Sequence, residues 1–336
     1  MDFNFTGLAD GSSSTQKPVK VLILGAGPAG MAAALYAARA ELHPVVLTGM
    51  EIGGQASLTN SIENYPGFPE GVGGGQLGEL FQKQAERFGA TFELDTATQV
   101  DLTSRPIRVT GYNGEYAAET LIIATGATPV HLNVPGETEF TGRGVSYCAT
   151  CDGWFFKDKK VVVVGGGDSA LEEGIFLTRY ASSVTIVHRR ESLRAGAVLQ
   201  KRAFDNPKIK FIWNSVVTEV VGNKAKTEGV RLKNLVTGEQ STFATDGIFI
   251  FIGHKPNTEL FAGQLEMEAG GYIKTDKLMQ TSVPGVYSAG EASDPTYRQV
   301  ITSAGMGAAA AIQAARFLEK VTLESSVVLE SEEPKA

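Results

Sequence analysis

The chain is poor in the residues that build metal sites. Its 336 residues include only two cysteines and four histidines. Structural zinc requires four ligands, and the histidines are isolated singles scattered along the chain. We therefore expect no metal site, which leaves open what the two cysteines, Cys148 and Cys151, do.

An excess of positive charge and a long apolar run are also missing. The formal net charge is -7, which argues against general nucleic-acid binding because that requires a basic face. The longest small-apolar stretch, residues 304–317, is shorter than the ~20 apolar residues that span a bilayer, and the N-terminal residues lack the pattern of a secretory signal. We expect no membrane association and a reducing, cytoplasmic location, where a close cysteine pair is more often catalytic or metal-binding than structural.

Glycine, in contrast, is abundant, and many of the 39 glycines fall in two clusters. The first cluster, GAGPAG at 25–30, follows a β-branched apolar run and precedes an alanine-rich stretch of helix formers. This order is typical of a dinucleotide-binding unit: Gly25 permits the turn, Gly27 lets the backbone approach a pyrophosphate, and Gly30 lets helix and strand pack. The acidic residue that usually ends the second strand is missing, and only Glu51 follows slightly late, so we expect the adenosine end to be held in a modified way.

The second cluster, GGGDSA at 165–170, repeats this pattern after a run of valines. The alanine at its third position still allows close packing of helix and strand. The next strand ends in HRR at 188–190, with Arg194 one turn further, where an acidic residue would otherwise hold the ribose. Arginines pair with a 2′-phosphate through charge-assisted bonds, so this unit is predicted to bind NADP rather than NAD.

Two dinucleotide units and a cysteine pair predict a relay of electrons. A flavin is needed between nicotinamide and sulfur because it joins hydride chemistry to thiol chemistry. The C-x-x-C spacing lets Cys148 and Cys151 meet over one turn, and the adjacent Asp152 could move the proton that each cycle requires. Asp152 and Gly153 could instead form a simple turn, and both roles can coexist.

Nine motifs make the pattern specific. GAGPAG, TGMEIGGQ, ENYPG, ATGA, CATCDG, GGGDSA, HRR with a later Arg, IGHKPNT and YRQVITSAG occur in this order. Over residues 18 to 320 the chain resembles the low-molecular-weight thioredoxin reductases of bacteria and plants, class II pyridine nucleotide-disulfide oxidoreductases. The resemblance implies a homodimeric enzyme of EC class 1.8.1.9 that passes electrons from NADPH to FAD, then to Cys151 and Cys148, and finally to thioredoxin. It also implies that one domain rotates against the other between the half-reactions.

Alternating strands and helices predict an α/β fold with two Rossmann-like, three-layer nucleotide-binding domains. The late segment has no nucleotide unit of its own, so we expect the NADPH domain to be inserted into the FAD domain. The predicted boundaries are a disordered N-terminal tail (1–17), the first segment of the FAD domain (18–129), the NADPH domain with the cysteines (130–256), the second segment of the FAD domain (257–321) and an acidic C-terminal tail (322–336).

The resemblance further implies the cofactor contacts. For FAD they are Gly25, Gly27, Pro28, Ala29, Gly30, Thr48, Gly49, Glu51, Gly53, Gly54, Gln55, Asn64, Val100, Thr125, Gly126, Gly290, Glu291, Arg298, Gln299 and Val300. For NADPH they are Gly165, Gly166, Gly167, Asp168, Ser169, His188, Arg189, Arg190, Arg194 and Gly253. Arg143 and the aromatic residues after Gly153 match the region that meets thioredoxin. The chain departs from the family at Glu291, where an aspartate is usual, and FAD affinity is the property this would change.

Two other functions fit some of these features. A flavin-linked relative could take its electrons from ferredoxin or free flavin, but the arginine cluster argues against this. A non-catalytic NADPH redox sensor would bind both nucleotides and show no multiple turnover with thioredoxin.

Overall fold

The structure, a computed structural model, describes residues 16–59 and 61–332, with side chains as far as residue 324. The predicted N-terminal tail therefore lies almost wholly outside the described residues. By its internal contacts the chain divides into two units: the first comprises residues as far as 56, 77–126 and 256 onward, and the second comprises 57–76 and 127–255. The second unit is thus inserted in the first, and residues 57–76, which the sequence predicts to lie in the first domain, group with it.

A seven-stranded sheet forms the centre of the first unit. Numbered in chain order, its strands are β1 (Lys17–Leu24), β2 (Val45–Leu47), β3 (Thr91–Glu93), β4 (Ala97–Asp101), β5 (Ile107–Gly111), β6 (Glu115–Ile123) and β17 (Val286–Ser288). The spatial order is β3-β2-β1-β6-β5-β4, with β17 also beside β6. The first half of β6 pairs antiparallel with β5, and its second half pairs parallel with β17.

Among the described residues, three helices belong wholly or partly to this unit: α1 (Pro28–Arg39), α2 (Gly74–Glu86) and α7 (Val300–Glu332). Both faces of the sheet are covered, because alternate residues of β1 enter different cores. Val21 and Ile23 pack with α1 and α7, whereas Leu22 and Leu24 pack with the antiparallel strands on the other face. The two helices approach closely at Gly307, where an added Cβ would lie 1.9 Å from the carbonyl oxygen of Ala29.

The second unit has a parallel sheet of five strands and a separate antiparallel sheet of three. The parallel strands, in the order β11-β10-β9-β15-β8, are β8 (Val145–Ser146), β9 (Lys160–Val164), β10 (Ser183–Val187), β11 (Ile209–Ile212) and β15 (Gly247–Ile250). The antiparallel strands are β12 (Ser215–Gly222), β13 (Thr227–Asn234) and β14 (Gln240–Ala244). The helices are α3 (Glu137–Phe140), α4 (Ala149–Asp152), α5 (Asp168–Leu177) and α6 (Ala197–Phe204).

The valine run of β9 explains the layering of this unit. Val161 and Val163 pack with apolar residues of α5 and α6, whereas Val162 and Val164 pack with those of β12 and β13. A strand that is buried on both faces reads as a continuous apolar run, as this one does. The predicted α/β fold with two Rossmann-like, three-layer units is confirmed.

The remaining elements are short. Two of the four crossings between the units, those at 126–127 and 255–256, lie beside a two-stranded sheet of β7 (Ala127–Pro129) and β16 (His254–Pro256). Single 3₁₀ turns cover Gly54–Leu58, Gly153–Phe156, Glu259–Phe261 and Gly290–Ala292.

Helix α7 extends into the segment predicted as an acidic C-terminal tail. The helix continues to Glu332, because no glycine or proline follows Gly307 until Pro334 and such residues are what end a helical pattern. Among the described residues, no helix combines the length and the apolarity that crossing a bilayer would require.

Candidate active site

The two cysteines form a disulfide at the beginning of α4. Their Cα atoms are 5.3 Å apart, and Cys148 is the N-cap residue, whose Sγ accepts a hydrogen bond from the backbone N–H of Cys151 over 3.1 Å. Both residues are half-buried, and Thr150 between them is exposed. The bridge is thus a small ring closed over one helical turn and open to solvent on one side, a form that can undergo thiol–disulfide exchange.

Asp152 lies beside the pair and is joined to it through Ser146. The Ser146 hydroxyl donates to Asp152 Oδ2 over 2.6 Å and accepts from the backbone N–H of Cys148 over 3.1 Å. Burial raises the pKa of the Asp152 carboxyl, and the hydrogen bond from Ser146 opposes that effect. A carboxyl whose pKa is raised in this way keeps its proton to a higher pH than an exposed aspartate does, which suits it to proton transfer.

The turn after Asp152 is set by packing. Gly153 has a helical φ of -57°, so it is not a left-handed turn residue. A Cβ there would lie 3.2 Å from the Leu177 side chain and 3.3 Å from the Tyr180 ring. Glycine at this position therefore lets the redox motif lie close against the end of α5.

Two aromatic side chains follow on the surface. Trp154 is 54% exposed and Phe155 is 40% exposed, and the Trp154 ring packs edge-to-face on Tyr180, with centroids 5.8 Å apart. Arg143, which the resemblance also placed at a partner surface, donates to the carbonyl oxygens of Glu139 and Lys224. Its guanidinium is therefore partly committed to the protein's own backbone.

The second glycine turn connects β9 to α5. Gly165 has φ +149°, and a Cβ there would lie 2.4 Å from the Phe251 carbonyl oxygen; a Cβ on Gly166 would lie 2.3 Å from the His188 ring. At Gly167, the N-cap residue of α5, a Cβ would meet nothing within 4 Å. The turn is thus packed on its inner side and open at the helix N-terminus, where backbone N–H groups can receive phosphate oxygens.

The arginine cluster lies on the loop after β10. Arg189, Arg190 and Arg194 are exposed, and none forms a salt bridge with any residue in the part of the chain that the structure describes. Their loop is held to the glycine turn by the Arg194 N–H, which donates to the Gly166 carbonyl over 2.7 Å. The Asp168 carboxylate accepts from the Gly196 N–H over 2.8 Å and ties the same loop to α5.

His188 is buried beneath this cluster. Burial lowers the pKa of its imidazole, the hydrogen bond to Ser192 opposes this, and the charges of the three neighbouring arginines lower the pKa further. Nε2 lies 3.1 Å from the Ser192 carbonyl oxygen, to which it can only donate. A neutral His188 therefore supports the loop, and the positive charge belongs to the arginines.

The first glycine turn is packed even more closely. A Cβ on Gly30 would lie 1.8 Å from the Gly25 carbonyl oxygen, and one on Gly54 would lie 3.0 Å from Gly27 Cα. The Gly53 N–H donates to the Ala26 carbonyl over 2.9 Å. The GGQ segment is thereby held against the turn, although α1 and β2 lie between them in the chain.

Two further loops complete the surroundings of this turn. Gly126, with φ +68°, has open space around it. The backbone N–H of Asn257 donates to the Gly126 carbonyl over 2.9 Å, and its side chain donates to the Thr125 carbonyl over 3.0 Å. On the other side, a Cβ on Gly290 would lie 2.9 Å from the Ala29 side chain, so the late glycine lies at the beginning of α1.

The loop from Glu291 to Gln299 is organised by a buried carboxylate. Asp294 accepts from the backbone N–H groups of Thr296, Tyr297 and Arg298, and Arg298 adopts a positive φ of +52°. Burial raises the pKa of Glu291 to about 7; Arg298 opposes this and Asp294 adds to it.

The structure gathers most of the predicted FAD residues in the first unit and all of the predicted NADPH residues in the second. Asn64 is the exception, because residues 57–76 group with the second unit. Val100 is buried on β4, and its carbonyl accepts from Gln264. Motif reasoning did not assign roles to Ser146, Asn257 and Asp294; each stood inside or beside a recognised motif, and an Asp-Pro pair is a turn signal.

The fold and the site define a disulfide oxidoreductase of the class that uses a flavin and a pyridine nucleotide. The family model of the pyridine nucleotide-disulphide oxidoreductases matches residues 19–324. A thioredoxin reductase of Rickettsia felis is 51% identical over 305 residues, which cover 90% of this chain and 98% of that protein. One from Streptomyces coelicolor is 48% identical over 307 residues, covering 90% and 95%.

A solved structure agrees with these sequence relatives. The crystal structure of thioredoxin reductase from Streptococcus pyogenes, 42% identical, has a TM-score of 0.87 over 91% of this chain and 100% of that one. The chain belongs to the thioredoxin reductases of the pyridine nucleotide-disulphide oxidoreductase family, and the resemblance inferred from its motifs is confirmed.

Proposed function

We propose that the protein reduces the disulfide of thioredoxin with electrons from NADPH, passed through FAD and the Cys148–Cys151 pair. The observation that carries the proposal is the placement of one solvent-accessible disulfide beside a proton-accepting carboxyl, Asp152, in the same unit as an arginine-edged dinucleotide turn. We further propose that it works as a homodimer in the cytoplasm, as the family resemblance implies.

NADPH fits the second unit. The open N-terminus of α5 at Gly167 has room for the pyrophosphate, and a helix N-terminus favours negative charge. Arg189, Arg190 and Arg194 are exposed beside it and would pair with the 2′-phosphate, which NADH lacks. The same three arginines disfavour the alternative in which ferredoxin or free flavin supplies the electrons.

FAD fits the first unit. The contact of Gly27 with Gly54 leaves no side chain between the backbone and a pyrophosphate at the start of α1, and Gly126 and Gly290 add two further backbone approaches. FAD held there would supply the two-electron chemistry that links the nicotinamide to the disulfide. By the family resemblance, Glu291 would be the carboxylate that accepts a hydrogen bond from the ribityl chain of FAD.

Thiol–disulfide exchange would then be carried by the protein's own sulfurs. The Cys148 thiolate attacks the thioredoxin disulfide and forms a mixed disulfide; Cys151 attacks Cys148, restores the ring and releases thioredoxin with two reduced sulfurs. The order of the two cysteines comes from the family resemblance. Thioredoxin has a reduction potential near -270 mV, and for two electrons ~30 mV corresponds to ~1.4 kcal/mol. The reduction potential of the Cys148–Cys151 pair must therefore lie within a few tens of millivolts of that value or below it.

In this proposal NADPH and the cysteine pair belong to the second unit, whereas the FAD with which both must react belongs to the first. We propose that the second unit rotates against the first between the half-reactions, with the crossings at 126–127 and 255–256 as hinges. Rotations of this kind take roughly microseconds to milliseconds.

The test is a variant that separates the two halves of the relay. Cys148→Ser should keep the bleaching of the flavin by NADPH and lose turnover with thioredoxin. Thioredoxin turnover retained in that variant would contradict the relay. Assays of the wild type with NADPH and NADH side by side settle the alternatives, since a redox sensor would bind nucleotide without multiple turnover.

A further inference from the structure

Ser146 is the last residue of β8, is 4% exposed, and joins the components of the redox motif. Its Oγ lies 2.6 Å from Asp152 Oδ2, 3.1 Å from the Cys148 backbone nitrogen and 3.2 Å from the Cys148 carbonyl oxygen. One hydroxyl therefore contacts both the proton-carrying side chain and the backbone of a redox cysteine.

The donor and acceptor rules limit how these contacts can be used. A hydroxyl donates one hydrogen bond and accepts up to two. The Cys148 N–H can only donate, so Oγ always accepts from it. When Asp152 is ionised, the Ser146 hydrogen points at Oδ2. When Asp152 is protonated, its own hydrogen can point at Oγ, and the Ser146 hydrogen turns to the Cys148 carbonyl. Every group has a partner in both states, and no heavy atom has to move.

We propose that Ser146 is a positioning residue for proton transfer at the cysteine pair, holding the Asp152 carboxyl and the Cys148 backbone in one arrangement through both protonation states. This rests on the proposed function, in which Asp152 carries the proton. Two electrons entering the disulfide break the S–S bond and leave two negative sulfurs. Asp152 gives its proton to one of them, so that one thiol, one thiolate and an Asp152 carboxylate result; the reductant is the bound flavin or an added dithiol.

Ser146 is the neighbour whose substitution should change the pKa of Asp152 most directly. Among the described residues, no charged side chain contributes to the perturbation of this carboxyl; burial and the Ser146 hydroxyl are its causes. Removing the Ser146 hydroxyl would take away a hydrogen bond to the Asp152 carboxylate in a buried site. The loss of such a bond corresponds to a rise of roughly one to two units in the pKa of Asp152.

Four variants test this: Ser146→Ala and Ser146→Gly, which remove the hydroxyl, Ser146→Thr, which keeps it, and Asp152→Asn, which removes the titrating group. The first readout is the alkylation rate of the dithiothreitol-reduced cysteines by iodoacetamide between about pH 5 and 10. The second is the pH profile of NADPH–thioredoxin turnover by the holoenzyme. Bleaching of the flavin by NADPH, a step that precedes the disulfide, checks that each variant is folded, and the glycine variant replaces the alanine variant if that one is unstable.

The pH profile of the wild type should contain a transition due to Asp152, which Asp152→Asn abolishes. We expect the midpoint of this transition to rise by about one to two pH units in Ser146→Ala and Ser146→Gly. In Ser146→Thr, which keeps the hydroxyl, the midpoint should not change. An unshifted step, or a wild-type alkylation profile without any step that depends on Asp152, would overturn the proposal. Because alkylation needs neither NADPH nor thioredoxin, it decides the role of Ser146 even if the wild type fails to turn over thioredoxin, which would refute the proposed function alone.

Discussion

Glu291 offers a quantitative test, because a glutamate whose carboxyl is largely withdrawn from water makes stability depend on pH. In the folded chain its pKa is raised from 4.5 to about 7, chiefly by burial, with Arg298 opposing and Asp294 adding. The folded state therefore holds the proton more tightly than the unfolded state does. Its contribution to the free energy of unfolding is complete below about pH 4.5 and is lost as the pH rises through 7.

The size of the loss follows from the shift. One pKa unit corresponds to 1.36 kcal/mol, so a rise from 4.5 to about 7 removes on the order of 3 kcal/mol between these two pH values. Glu291→Gln keeps the size of the side chain and cannot ionise. Relative to the wild type, we expect this variant to gain about 2 to 3 kcal/mol in free energy of unfolding between pH 5 and pH 8.

The measurement is urea unfolding of the cofactor-free chain, followed by circular dichroism at pH 5 and pH 8. Glu70→Gln, which changes an exposed glutamate, is the matched control and should differ from the wild type equally at both pH values. If Glu291→Gln also differs equally at both, the buried carboxylate is not the source of the pH dependence and the reasoning fails.

Two further substitutions address the partners. Arg190→Ala should weaken NADPH binding by roughly 10- to 150-fold, because it removes charge-assisted bonds worth about 1.5 to 3 kcal/mol, and should leave NADH binding unchanged. The control is Arg202→Ala, which changes an exposed arginine on α6 and should affect the binding of neither nucleotide. Equal losses of affinity for NADPH and NADH in Arg190→Ala would contradict a 2′-phosphate site. Trp154→Ala should lower kcat/KM for thioredoxin about tenfold, as loss of an interface aromatic does, while activity with a small aromatic disulfide stays within about twofold; a parallel fall in both activities would place Trp154 outside the partner surface.

The features of the site that could be predicted are those whose chemistry is local. Gly25, Gly30 and Gly165 were predicted from spacing because a turn between a strand and a helix excludes a side chain at these positions, and the structure shows backbone atoms within 2.4 Å of where their Cβ atoms would be. The C-x-x-C disulfide is local in the same sense.

What could not be predicted depends on distant residues. Asn257 bonds to Thr125 across 132 positions of chain, and no local pattern marks that pair. Ser146 is only six positions from Asp152, but their bond requires β8 to end beside α4. The grouping of residues 57–76 with the second unit is likewise a tertiary contact, which composition does not record.

The pairing of β17 with β6 has a consequence for synthesis on the ribosome. Leu121 and Ile123 of β6 meet Val286 and Ser288 of β17, and the chain between these strands contains residues 127–255, the larger part of the second unit. At about 5 to 20 residues per second, the stretch from residue 256 to the beginning of β17 takes roughly two to six seconds to translate, so residues 127–255 can begin to fold a few seconds before β17 emerges. During that time the strands already made carry an apolar, hydrogen-bonding edge of the kind that recruits foreign strands. The nascent chain can therefore fold the second unit before the first. Helix α7, which packs against α1, completes the core of the first unit last.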